Sequence, residues 1–331
     1  MKRILPTHRE RLQACLADDP ALDRPPVALW RHFPVDDQSP ETLAAATIAF
    51  QRLYDFDLVK VTPASSFCLK DWGVEDEWRG DTEGTRNYTK HIIRHPQDWE
   101  RLPALTPSAP HLAGQLACLR AIRGELSPDV PLLQTIYNPL AQAKNIGGGE
   151  TLLVHLRQHP EAVLKGLETI AETTRRFIEA AIEAGIDGIF YAVQHAQAGL
   201  LSAEDYARFG IPHDRTLLTA ASSLWCNMLH IHGHAIYFSL FTSFAVPILN
   251  WHDRETPPSL SEAQQLFHGV VCGGISQKSI VFGYRTEVRK EADDAIEQTK
   301  GRRFILGTGC VVPIIAPYGN LLAVRESVVT T

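Results

Sequence analysis

Cys226-Asn227-Met228-Leu229-His230-Ile231-His232 is an apolar run that carries two imidazoles and then stops at Gly233-His234. On a strand, side chains at i and i+2 share a face, so His230 and His232 point the same way. A strand that is apolar throughout fits a parallel sheet covered on both sides, where no face alternates toward water.

Comparable runs lie on both sides of it. Residues 27–30, 57–61, 131–137, 187–193, 246–251, 269–274 and 303–307 are short and mostly apolar. With 226–231 they make eight expected strands. Helical periodicity separates them at 40–54, 111–124, 160–184, 202–222 and 286–300. The stretch 65–130 exceeds what a βα unit needs and holds Trp72, Trp78, Pro103, Pro107 and Pro110. It is expected to be a loop-rich insertion after the second strand, ending in the helix near 111–124. Eight βα units predict one α/β domain over 1–331, a closed (β/α)8 TIM barrel with an N-terminal extension. A doubly wound open sheet is the alternative, but no Gly-x-Gly-x-x-Gly follows the first strand.

Composition narrows the function classes. The 331 residues are 44% apolar and 21% charged, with a formal net charge of -6 and no basic block. A nucleic-acid partner is therefore not expected. No run of 18 apolar residues suggests a membrane span, and Met1-Lys2-Arg3-Ile4-Leu5-Pro6 lacks the apolar core of a signal peptide, so a cytoplasmic protein is expected. Six cysteines without C-x-x-C pairing imply reduced thiols. Cys226 and Cys272 sit inside apolar runs and belong to the core. Cys310 instead follows a strand, in Thr308-Gly309-Cys310-Val311-Val312-Pro313.

In a barrel of this kind the chemistry gathers at the carboxyl ends of the strands. Those ends present Trp30, Arg31 and His32; Lys60 and Thr62; Tyr137 and Asn138; Gln194 and His195; His230, His232 and His234; Asn250, His252 and Asp253; Ser276 and Gln277; and Cys310. All face one mouth, so His230, His232 and Cys310 can converge although strands five and eight are not neighbours. Two imidazoles and a thiolate suit Zn²⁺, and three protein ligands leave a fourth position open, the catalytic arrangement. Arg31 is expected to hold an anionic substrate group. Asp253 could orient a ligand histidine or cap a helix, and His195 and His252 could touch substrate or cap loops. Arg31, His195 and Asp253 form the candidate catalytic set; Tyr137, Asn138 and Gln194 are expected to line the cofactor's place.

The whole chain resembles the uroporphyrinogen decarboxylase superfamily, which includes corrinoid- and cobamide-dependent methyltransferases as well as the haem-pathway decarboxylase. Leu229-His230-Ile231-His232-Gly233, Gly199-Leu200-Leu201-Ser202-Ala203-Glu204-Asp205-Tyr206 and Leu306-Gly307-Thr308-Gly309-Cys310-Val311-Val312-Pro313 carry the resemblance. The decarboxylase branch has Arg-Gln-Ala-Gly-Arg after the first strand and Phe-Ser-Asp-Ile after the second. Here those places read Leu29-Trp30-Arg31-His32-Phe33 and Thr62-Pro63-Ala64-Ser65-Ser66-Phe67, with at most one arginine and no carboxylate. The Gly-Cys after the last strand resembles the methyltransferase branch, where it supplies a zinc thiolate. That branch has His-x-Cys at the fifth strand; His232 in place of the cysteine removes one negative charge and makes a bound metal more electrophilic.

The resemblance therefore implies a zinc-dependent methyltransferase-like enzyme acting on a thiol or a corrinoid methyl group. It also implies a small-molecule substrate, a corrinoid methyl donor, a corrinoid-protein partner and a homodimer. Uroporphyrinogen decarboxylation is the alternative, and a non-catalytic tetrapyrrole- or corrinoid-binding protein is a third.

Overall fold

The computed structural model describes residues 5–328; Met1-Lys2-Arg3-Ile4, the start of the stretch read for a signal peptide, lies outside them. Nine strands occur among the described residues: β1 (Val59–Val61), β2 (Glu75–Glu77), β3 (Asn87–Lys90), β4 (Leu132–Tyr137), β5 (Gly188–Val193), β6 (Met228–Ile231), β7 (Ile248–Trp251), β8 (Val270–Ile275) and β9 (Phe304–Thr308). Seven form one curled parallel sheet in the order β1-β4-β5-β6-β7-β8-β9, and β2 pairs with β3 as a separate antiparallel hairpin. Every residue of those seven strands is buried, which explains why each reads as a mostly apolar run.

Seven of the eight expected sheet strands are present, and the eighth, 27–30, is an extended segment without a ladder. It still bridges the two edges of the sheet. Ala28 N–H donates to Leu306 O at 2.9 Å, and Leu306 N–H donates to Pro26 O at 2.9 Å. On its other side Asp57 N–H donates to Val27 O at 2.8 Å. Pro25 and Pro26 have no N–H to give, so regular pairing cannot begin before Val27. The N–H of Val27 goes instead to the Asp57 carboxylate at 2.8 Å.

Asp57 anchors this join. It is buried and also accepts from Arg11 at 2.8 Å and Arg24 at 2.7 Å. Burial alone would raise its pKa, but the hydrogen bonds from His8, Arg24 and Val27 with the Arg24 charge hold it well below the usual carboxylate range.

The helices cover the outside. Pro160–Glu183 buries Val163, Leu167, Ile170, Thr174, Phe177, Ile178 and Ala181, the i, i+3, i+4 stripe of a helix packed on a sheet. The single helix expected over 202–222 is two, Ala203–Phe209 and Ile211–Ala220. Pro212 sits in the first turn of the second helix, where its missing N–H costs nothing but would interrupt a continuous one. Two helices before 160, Pro139–Gly147 and Gly149–Gln158, meet at Gly148 with φ +85°.

The 65–130 stretch holds the β2–β3 hairpin, helix Pro96–Glu100 and helix Pro110–Glu125. Two of its indoles find acceptors, Trp72 on the exposed Pro103 O at 2.8 Å and Trp99 on the buried His155 Nδ1 at 3.0 Å. None of the described helices is long and apolar enough to cross a membrane. All six cysteines are free; five are buried and Cys310 is partly exposed.

Candidate metal centre

β6 and β7 run in register, His230 beside Asn250 and Ile231 beside Trp251. Alternation therefore sends His230 and His232 from one strand, and Asn250 and His252 from the next, toward the same side. Asn250 is fully buried and its Nδ2 donates to the carbonyls of Cys272 at 2.9 Å and Thr308 at 3.1 Å. That leaves Oδ1 as an acceptor, 2.7 Å from His230 Nδ1. The proton of His230 is thereby placed on Nδ1, and the lone pair of Nε2 faces the strand ends.

Four donor atoms meet there. His232 Nδ1 lies 3.5 Å from His230 Nε2, 3.3 Å from His252 Nε2 and 3.7 Å from Cys310 Sγ. All four lie within 4.8 Å of one another. Tetrahedral zinc, with bonds of about 2.0–2.1 Å to nitrogen and about 2.3 Å to sulfur, would have N···N edges near ~3.3 Å and N···S edges near ~3.6 Å. The three separations at His232 match those edges, the other three are bounded at 4.8 Å, and the residues fit the ion in donor type.

Protonation points the same way for the imidazoles. Burial, helped by the neighbouring rings, lowers His230 well below its ordinary value and His252 to about 3. His232 is lowered to about 4, by burial and then by Lys144 and His234. Neutral imidazoles are the form a metal needs. Cys310 is in the opposite position, since burial pushes its thiol up to about 12. A thiolate there requires a cation beside it.

Gly309 makes the convergence possible. A Cβ on it would lie 2.6 Å from His252 Cα and 2.8 Å from Trp251 O. Only glycine lets the end of β9 come this close to the end of β7 and deliver Cys310.

His230, His232 and Cys310 open onto a cavity of about 620 Å³, within the usual range for a small-molecule site. Tyr137, Gln194 and His195 also line it. His195 Nδ1 and Gln194 Oε1 are buried and have no partner among the described residues. Burial, with Lys144 and His232 nearby, lowers His195 to about 3, so its imidazole is neutral.

Three expected residues lie elsewhere. Trp30 packs inward with its ring 5.2 Å from that of Phe190, so Arg31 must point outward, where it stacks on Phe33 and reaches Ile314 O. It does not line the cavity. Asn138 accepts from Ala141 N–H as a helix cap and donates to Tyr206 Oη and Asp214. Asp253 turns away from the imidazoles and accepts Gly274 N–H on both oxygens, at 3.0 and 3.1 Å; it fixes the chain just after His252 instead of a ligand ring.

The cavity's cations are Lys60 and Lys144, with Arg86 already bound to Asp37 at 2.7 Å. Lys60 Nζ lies 4.4 Å from the Phe190 ring centroid and 3.2 Å from Thr62 Oγ1, with no carboxylate partner among the described residues. Burial lowers its pKa to about 7 and also lowers that of Lys144. Lys60 stands at a strand end visible in the sequence. Lys144 sits on a helix and gives no such sign. His252 was visible too, because Asn250-Trp251-His252 repeats the spacing of His230-Ile231-His232 one strand later.

A uroporphyrinogen decarboxylase (URO-D) family profile matches residues 9–330. The chain belongs to that family. Its relatives are enzymes of two reaction classes. A uroporphyrinogen decarboxylase from Syntrophotalea carbinolica is 26% identical over 68% of this chain and 67% of its own length. A methylcobamide:CoM methyltransferase from Methanosarcina acetivorans is 20% identical over 97% of both chains. Among solved structures, a methyltransferase from Methanosarcina mazei superposes with a TM-score of 0.85 at 19% identity, covering 97% of this chain and 98% of that one. At that identity the superposition shows the fold. Membership of the family makes this chain an enzyme of the uroporphyrinogen decarboxylase superfamily.

Proposed function

We propose that this chain is a zinc-dependent methyltransferase that moves a methyl group from a corrinoid, carried by a partner protein, to a small anionic thiol. The observation that carries the reading is that His230 Nε2 and Cys310 Sγ each lie at a zinc-like edge distance from His232 Nδ1, beside a cavity. The full-length likeness to a methylcobamide:CoM methyltransferase supports it.

Each residue has a task. His230, His232 and Cys310 would hold the ion, and Asn250 would keep the His230 lone pair aimed at it. Zinc there would lower the pKa of a thiol and keep its sulfur nucleophilic. Lys60 and Lys144 would pair with the anionic end of the substrate; this replaces the role expected of Arg31, which lies outside the cavity. The rings of Trp30 and Phe190 exclude water beside Lys60 and strengthen that pairing.

Decarboxylation draws support from the Syntrophotalea relative. The cavity suits it less well. A substrate with eight carboxylates would meet two uncommitted lysines and no free arginine.

The deciding experiment measures zinc in the purified protein and in Cys310→Ser, together with methyl transfer from methylcobalamin to a thiol followed by the visible spectrum. Stoichiometric zinc and thiol methylation in the parent, both lost in the variant, are expected. Thiol methylation at full rate after the metal is stripped would refute the proposal, as would coproporphyrinogen formation by metal-free protein.

A further inference from the structure

We propose that His252 is a fourth, exchangeable metal donor, so that the centre rests as a closed site of three imidazoles and one thiolate until a thiol takes the place of His252. The inference builds on the reading of His230, His232 and Cys310 as zinc ligands and adds a residue that the expected three-ligand site did not contain.

Distance does not separate His252 from the other three. Its Nε2 lies 3.3 Å from His232 Nδ1, closer than His230 Nε2 at 3.5 Å or Cys310 Sγ at 3.7 Å. Its position follows from the register, since His252 continues β7 one step beyond the Ile231–Trp251 pair and so stands beside His232. A nitrogen so placed beside a divalent ion would ligate it.

What sets His252 apart is how it is held. The His230 ring is pinned by Asn250 at 2.7 Å. The ring of His252 has no hydrogen-bond partner among the described residues except His232 Nδ1. Its backbone is the rigid part: His252 O accepts from both Glu255 and Thr256 N–H at 2.9 Å. A fixed backbone with an untethered ring can offer its nitrogen and withdraw it by side-chain rotation alone. His252 also does not line the cavity, whereas the other three do, so substrate reaches the centre on the side of the three retained donors.

Charge gives the exchange a direction. Zn²⁺ with one thiolate and three neutral imidazoles carries a net charge of about +1 in a buried place, beside Lys60. In the exchange the thiol loses its proton to the buffer, a metal–sulfur bond forms and the metal–nitrogen bond to neutral His252 breaks. No electron is transferred. The centre becomes neutral, and the buried charge is relieved.

The test loads metal-stripped protein with Co²⁺ and reads its visible absorption while 2-mercaptoethanol is added without oxygen. The parent should show the intense bands of four-coordinate cobalt before any thiol is present. His252→Ala should show weaker bands at first and should bind the thiol ~10-fold more tightly or better, because an internal competitor that occupies the position most of the time has been removed. His252→Gln keeps the bulk of the side chain and, checked by far-ultraviolet circular dichroism, should behave in the same way if the alanine variant folds poorly.

Identical spectra and thiol titrations in the parent and the folded variant would overturn the assignment of His252. Failure of the underlying zinc reading looks different: the parent takes up no cobalt, or takes it up equally after Cys310→Ser.

Discussion

Replacing Asn250 with alanine removes three hydrogen bonds from one buried point. His230 Nδ1–H loses its acceptor, and the carbonyls of Cys272 and Thr308 lose their donor. Each orphaned buried group costs about 1–3 kcal/mol, so metal-free Asn250→Ala should be less stable by roughly 3–5 kcal/mol, allowing for some relaxation into the hole. Zinc affinity should fall separately. An imidazole whose second nitrogen is unsupported no longer holds one tautomer and one orientation, a loss of ~10–100-fold in metal affinity. Urea unfolding of the stripped proteins measures the first effect, and competition with a chromophoric chelator measures the second. Asn250→Asp divides them: it keeps an acceptor for His230 but faces two carbonyls with a carboxylate. It should be destabilised at least as much as the alanine variant while binding zinc much more nearly like the parent. Zinc affinity in Asn250→Ala equal to that of the parent would refute the reasoning, because Asn250 would then support the sheet and not the ligand.

Lys60→Met keeps the volume of the side chain over Phe190 and removes its charge. It should raise KM for an anionic thiol ~10-fold, about 1.4 kcal/mol, and leave KM for a neutral thiol unchanged; equal effects on the two thiols would refute an anion-binding role. Asp57→Asn tests the join at 26–30. Asp57 is held below its unfolded value of about 3.9, so its ionised form stabilises the fold above that pH, and the contribution is lost as pH falls through the lower folded value. The variant should be less stable by about 3–5 kcal/mol at pH 7, with the gap closing below about pH 4. A gap that stays constant into acid, measured by denaturant unfolding across the pH range, would show that Asp57 is not the charged anchor.

The parts of this molecule that were legible in the sequence are those governed by a short period. A strand buried on both faces is apolar at most positions, so seven sheet strands could be found from short, mostly apolar runs. The eighth could not be judged that way, because its fate depends on Pro25 and Pro26 withholding N–H groups and on Asp57, a residue far along the chain, accepting from Val27. The break at Pro212 follows the same rule, yet periodicity on both sides hid it.

Facing is a stricter problem than existence, and one residue can decide it. Alternation relates neighbours on a strand but says nothing about which parity looks inward. At 30–32 the parity is set by the largest apolar side chain: Trp30 buried against Phe190 requires Arg31 to point out and His32 to point in. The anion-binding role expected of Arg31, from its place at a strand end, corresponds to the opposite parity; stacked on Phe33, Arg31 is not among the residues lining the cavity. At β6 and β7 the same logic succeeds, since His230 and His232 share a parity with Asn250 and His252. Lys144 obeys no such rule, because its approach to the cavity depends on where a whole helix docks. Under the proposed function the anion-binding role would pass from the arginine that the sequence displayed to Lys60, whose charge the sequence displayed just as plainly but whose neighbours, Trp30 and Phe190, only the fold supplies.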